Sequence, residues 1–195
     1  MKEKNKLTFM IARHGQRADG FDVGRWWIKT DPPPSCPWNP PLTELGERMA
    51  VGLGARMHGI ISDKMKISQK KGTKDAPKSE QSELSCKPAV ICFCSPLKRC
   101  VTTAACAIEK MKELDPSHML GYDELELKIE DGVVEFLEGD WYSLWKCNRN
   151  DHQFAKTNVA TLFPKRDEIR DEASKHCVTI DDSYSPCIDV RILIF

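Results

Sequence analysis

Residues 89–99 read Ala89-Val90-Ile91-Cys92-Phe93-Cys94-Ser95-Pro96-Leu97-Lys98-Arg99, and the reading of this stretch decides the fold. Ala89 to Cys94 is an unbroken apolar run, the pattern of a short buried strand. Ser95-Pro96 then starts a helix, because serine offers a capping oxygen and proline at the first helical position gives up no hydrogen bond. The apolar spacing changes from there to Leu97, Val101, Ala104, Ile108 and Met111, one face of a helix. Upstream, Leu7-Thr8-Phe9-Met10-Ile11-Ala12 is a second apolar run, and it ends in Arg13-His14-Gly15. It predicts a buried strand with a polar loop at its C-terminal end. Between these strands Thr43 reads as an N-cap with Glu44 in the first turn, where the helix dipole favours an acid. Leu45, Met49, Leu53, Met57 and Ile60 follow as the apolar stripe of that helix. Downstream, Leu125 to Ile129 leads to Val133-Val134-Glu135, which reads as a third strand. Strand, helix, strand, helix, strand predicts an α/β fold, a sheet sandwiched between helices.

The 195 residues suit one domain, and we read 1–195 as a single unit whose core closes without disulfide staples. Lys+Arg 29 balance Asp+Glu 29, so there is no electrostatic case for nucleic acid, whose affinity rests on neutralising phosphates. No apolar run approaches the roughly 18–20 residues of a membrane span. The apolar stretch after the charged Met1 to Lys6 is shorter than the ~7–15 residues of a secretory signal. A cytoplasmic protein is expected. The 9 cysteines form no Cys-x-x-Cys pair, and no histidine stands at zinc-finger spacing from them, so no metal is expected. Cys92, Cys94, Cys100 and Cys106 read as small apolar fillers, with only Cys100, beside Arg99, near an electropositive setting.

The rest of the chain is less regular. Phe21 to Pro41 holds Trp26, Trp27 and Trp38 among many prolines, which predicts an irregular aromatic-lined loop. Residues 62–88 are rich in lysine and serine with few large apolar side chains, and read as a polar flexible insertion. A helix is expected around Lys165 to His176, and Ile192 to Phe195 is an apolar tail.

Chemistry is suggested by position. Arg13, His14 and Arg17 cluster past the end of the first expected strand, and Arg99 lies past the end of the second. In open α/β sheets ligands bind outside the carboxyl ends of the strands. Arginine from two such ends, with a helix N-terminus, suits a dianionic tetrahedral ligand, because guanidinium forks match phosphate oxygens in pairs. A histidine among cations is biased towards its neutral form, which leaves a ring nitrogen able to attack phosphorus.

Three segments in order carry a resemblance. Ala12-Arg13-His14-Gly15-Gln16-Arg17 resembles the hallmark of the histidine phosphatase superfamily, which includes the phosphoglycerate mutases. Pro41-Leu42-Thr43-Glu44-Leu45-Gly46 is similar to its first-helix motif, and Ser95 to Ala104 to its second arginine motif. The tryptophan loop, Glu130 to Phe136 and Asp182-Ser183-Tyr184 are most similar to the branch of ecdysteroid-phosphate phosphatases and T-cell ubiquitin ligand phosphatase domains. The resemblance runs from about Leu7 to Arg191, with gaps over Ser62–Lys87 and roughly Asn148–His176. It implies a three-layer, phosphoglycerate mutase-like sandwich and a phosphomonoester hydrolase with no cofactor. His14 would become a phosphohistidine, and Arg13, Arg17 and Arg99 would bind the phosphate. A carboxylate would protonate the leaving group. The residue pattern leaves Glu130, Glu135 and Glu138 open for that acid, and the branch's pattern prefers Glu135. The expected partner is a phosphorylated small molecule or a phosphoprotein, with no nucleic acid and no membrane.

The chain also departs from the pattern. The superfamily uses a second histidine after a late strand, and His58, His118, His152 and His176 do not occupy such a place. The resemblance therefore implies a domain incomplete at its C-terminus and an activity that is impaired. The alternative is a non-catalytic module that keeps the arginine pocket and binds phosphate ligands or a protein. Asn39 stands where related sequences carry an acid before Pro-Pro-Leu-Thr, a change expected to matter little.

Overall fold

The structure is a computed structural model, and it describes residues 8–20, 27, 39–72, 90–130 and 164–184. Among these, the elements run α1 (Glu44–Gly72), β1 (Cys92–Cys94), α2 (Lys98–Leu114), a 3-10 turn (Tyr122–Glu124), β2 (Leu127–Ile129) and α3 (Arg166–Ser174). The fold is mixed α/β. Strands β1 and β2 are parallel, with Cys92 opposite Leu127, Phe93 opposite Lys128 and Cys94 opposite Ile129. A further parallel bridge joins Leu127 to Ile180. Parallel strands need a long crossover, and α2 supplies it. No helix among the described residues is long and apolar enough to cross a membrane.

Alternation along the strands sorts the two faces of the sheet. Cys94, Leu127 and Ile129 turn inward and join Val101, Ala105, Ile108 and Met111 of α2, Ile61 of α1 and Ile169 and Ala173 of α3 in one core. Phe93 points to the opposite face, where its ring meets the edge of Tyr184 at 5.7 Å and Lys128 lies 5.2 Å above the same tyrosine. The expected apolar face of α2 is present. It is wider than a single stripe, because α1 packs on one flank, α3 on another and the sheet beneath, so Thr102, Thr103 and Arg99 are buried as well. The cysteine fillers behave as expected. Burial pushes the thiols of Cys92 and Cys106 up to about 11, with Glu47 and Glu109 adding to the effect at Cys106, and pushes Cys94 well above its ordinary value.

Four expectations need correction. Leu7 to Ala12 is not a buried strand over its described residues: Phe9 is 81% and Ile11 78% exposed, and only Met10 reaches the core. An apolar run reads as doubly buried only where both faces are covered, and here Thr8, Phe9, Ile11 and Ala12 are all exposed. The stripe of α1 is displaced in part, since Met57 packs against the core as expected and Leu53 is half-buried. Leu45, Met49 and Ile60 are exposed, while Gly46, Ala50, Gly54 and Ile61 face inward. One residue turns a helix by about 100°, and the seam chosen by packing is the one made of small side chains. A Cβ at Gly54 would strike the Ala107 carbonyl, so the two helices meet backbone to backbone. Ser95-Pro96 does not open α2 as expected. The cap position is Leu97, with no side-chain cap of its own, and Ser95 Oγ reaches only the Leu97 amide at 3.5 Å. Finally α1 continues to Gly72, so the first part of the 62–88 insertion is helical. The expected strand Val133–Glu135 and most of the tryptophan loop lie outside the described residues.

Candidate active site

The loop that follows Ala12 is held by backbone contacts on two sides. On one side it joins the start of α1: the Thr43 amide donates to the Gln16 carbonyl at 3.0 Å, and the Ala18 amide to the Pro41 carbonyl at 3.0 Å. Thr43 is the N-cap that the sequence predicts, with its Oγ1 accepting the Gly46 amide at 3.0 Å. The same hydroxyl donates to Gln16 Oε1 at 2.8 Å, so one residue caps the helix and ties down the loop. Gly15 and Gly46 allow this approach, since a Cβ on Gly15 would collide with the Gly46 carbonyl. On the other side the loop joins α2. The Gly15 amide donates to Thr103 Oγ1 at 3.1 Å, and the Thr103 hydroxyl donates to the Arg99 carbonyl at 2.7 Å.

His14 is half-buried between these two anchors. Its Nδ1 lies 2.8 Å from the Gly15 carbonyl oxygen. A carbonyl only accepts, so Nδ1 carries the proton of this bond and the neutral ring presents a lone pair at Nε2. The pKa of His14 is held below its ordinary value, first by burial, against the opposing pull of the Gly15 hydrogen bond. The charges of Arg99, Arg17 and Arg13 lower it further. Arginines from two distant stretches of sequence thus act on one imidazole. Arg13 is exposed, Arg17 is largely covered, and Arg99 is 1% exposed in the first turn of α2.

Of the three carboxylates left open for the acid, Glu135 and Glu138 lie outside the described residues. Glu130 is buried directly past β2, its amide donating to the Cys94 carbonyl at 2.9 Å. Its Oε2 accepts the Tyr184 phenol at 2.6 Å. The other described histidines sit elsewhere: His58 against the Tyr122 ring, His118 on Asp123, and His176 on Glu109 at 3.0 Å.

Two contributors, Thr103 and Asp19, were not singled out in the sequence, and a third, Asn39, was noted there without a role. Thr103 anchors both His14's loop and Arg99's turn, and its place four residues after Arg99, on the same helical face, is the signal that could have found it. Asn39 Oδ1 accepts the Lys98 amide at 2.8 Å and so satisfies the start of α2 that Ser95 was expected to cap. An amide oxygen accepts this bond as a carboxylate would, which explains how Asn39 serves in that place. Asp19 holds Arg17 at two points, Oδ1 to Nε at 2.8 Å and Oδ2 to Nη2 at 2.5 Å. Compared with known proteins, the chain matches no family model and no curated protein.

Proposed function

We propose that this protein is a phosphomonoester hydrolase that works through a phosphohistidine on His14, in a phosphoglycerate mutase-like fold of the cytoplasm. The observation that carries the reading is the half-buried His14, its Nδ1 held 2.8 Å from the Gly15 carbonyl oxygen, with burial and the charges of Arg99, Arg17 and Arg13 lowering its pKa. The full three-layer sandwich belongs to this proposal too, since a second layer of helices would have to come from beyond the described residues. In the proposed reaction Nε2 attacks phosphorus as the bond to the leaving oxygen breaks. The guanidinium groups take up charge on the equatorial oxygens, where fixed donors act most strongly. A carboxylic acid, Glu135 in this proposal, gives its proton to the leaving oxygen. Water then cleaves the phosphorus–nitrogen bond and releases phosphate. The substrate is a phosphorylated small molecule or a phosphoprotein.

A second reading is a module that binds phosphate ligands without turning them over. It is favoured by one observation: His58, His118 and His176 each have neighbours other than the arginine cluster. Losing one donor to the transferring group costs roughly 10²–10³ in rate. The deciding experiment follows p-nitrophenyl phosphate hydrolysis by the whole chain and by His14→Ala. Hydrolysis that disappears in the variant, with an acid-labile phosphoryl group trapped on the wild type, supports the enzyme. Equal rates in both proteins sink it, and phosphate-dependent thermal stabilisation without turnover supports the binding module.

A further inference from the structure

We propose that Asp19 is a positioning residue, a carboxylate that grips Arg17 at two points and aims its guanidinium at the phosphate held beside His14. The inference rests on the phosphate-site reading above. Its own foundation is the geometry of the pair. Both oxygens of Asp19 are engaged, at 2.8 Å to Nε and 2.5 Å to Nη2, and the two side chains are only 4% and 16% exposed. Bidentate pairing of a planar fork with a carboxylate fixes direction as well as charge, and the long arginine stem would otherwise sample many rotamers.

The backbone around the pair is built to present it. Arg17 is bridged to Leu42, the Ala18 side chain between the partners is fully buried, and the Gly20 amide closes a turn on the Arg17 carbonyl at 3.3 Å. Residues 17 and 19 therefore project together from a segment that is fastened to the start of α1. Arg17 acts on His14 electrostatically, so the hold on Arg17 is also a hold on the charge that His14 feels.

Two physical effects of Asp19 oppose each other, and their signs make the proposal testable. As a bystander charge it would repel an anion, so its removal would tighten phosphate binding. As the residue that aims the fork, its removal weakens binding, by roughly 10–100-fold if it matters as much as an outer partner that orients a metal ligand. The experiment measures the dissociation constant of inorganic phosphate by calorimetry on the full chain. The proteins are wild type, Asp19→Ala, Asp19→Glu, Arg17→Ala, Arg99→Ala and the Arg17→Ala/Asp19→Ala pair, each checked for a native circular dichroism spectrum.

The expected result is weaker binding in Asp19→Ala and also in Asp19→Glu, which keeps the charge but displaces the grip. In the Arg17→Ala background, removing Asp19 should cause no further loss. Unchanged or tighter binding in folded Asp19→Ala overturns the proposal, and if that variant does not fold, wild-type affinity in Asp19→Glu overturns it instead. Wild-type protein that fails to bind phosphate, or binds it equally well as Arg17→Ala and as Arg99→Ala, overturns the underlying site reading, a distinguishable failure.

Discussion

At the scale of single residues, His14 is placed by its neighbours rather than by its own chemistry. The Gly15 amide is fastened to Thr103, the Gly15 carbonyl accepts from the imidazole, and three guanidinium groups act on the ring. Folding holds the His14 pKa below 6.5, so in the window just below that value the unfolded chain binds more protons than the folded one. The stability this group supplies is therefore complete above its unfolded pKa and is lost as pH falls through the folded one. Acidification from about pH 7.5 to about pH 5 should destabilise the wild type more than His14→Asn, measured by urea unfolding at each pH. Coincident pH profiles for the two proteins would contradict a ring held neutral by the fold.

At the scale of elements, the seam between α1 and α2 sets the geometry of the site, because α1 carries the Thr43 anchor and α2 carries Thr103 and Arg99. Glycines in one helix serve opposite ends here. A Cβ on Gly54 would run into the Ala107 backbone, whereas Gly52 and Gly59 have open space around them. Gly52→Ala should stabilise the protein by about 0.5–1 kcal/mol through helix propensity alone. Gly54→Ala should lower stability by about 1–3 kcal/mol despite the same propensity gain, since the helices must part to admit the methyl group. Thermal melts of the two variants shifting in the same direction would show that the seam is looser than described.

For the whole molecule, one core links the three described helices to the inward face of the sheet. Ile129 is 1% exposed within it, and Phe9 lies at the opposite extreme. Ile129→Ala should cost about 2–5 kcal/mol and shift a single unfolding transition. Phe9→Ala should stay within about 0.5 kcal/mol of wild type. A large loss at Phe9 would mean that the run through Ala12 is buried as a strand after all. This contrast bears directly on function, because the residues just before Arg13 and His14 are the support from which the site loop departs.

What could be read from the sequence alone follows from local rules. The α/β order, the Thr43 cap, the buried face of α2 and the helix near residue 166 are consequences of periodicity and hydrogen-bonding chemistry within a few residues. Arg99, Arg17 and Arg13 all act on the charge of His14, although the run before Arg13 is not the buried strand from which their grouping is read in the sequence. Other features depend on partners far away in the chain, and periodicity carries no information about them. The face of α1 that turns inward is the one where Gly54 fits against Ala107, which brings Met57 and Ile61 to the core and leaves Leu45, Met49 and Ile60 outside. The start of α2 is satisfied by Asn39 from a loop some sixty residues earlier, where Ser95 is the local candidate. The exposure of Phe9 and Ile11 likewise reflects what lies against them, which no run of apolar letters specifies. Local sequence set the elements and the charges, and tertiary packing decided which faces meet, because burial is a property of pairs of surfaces rather than of either one.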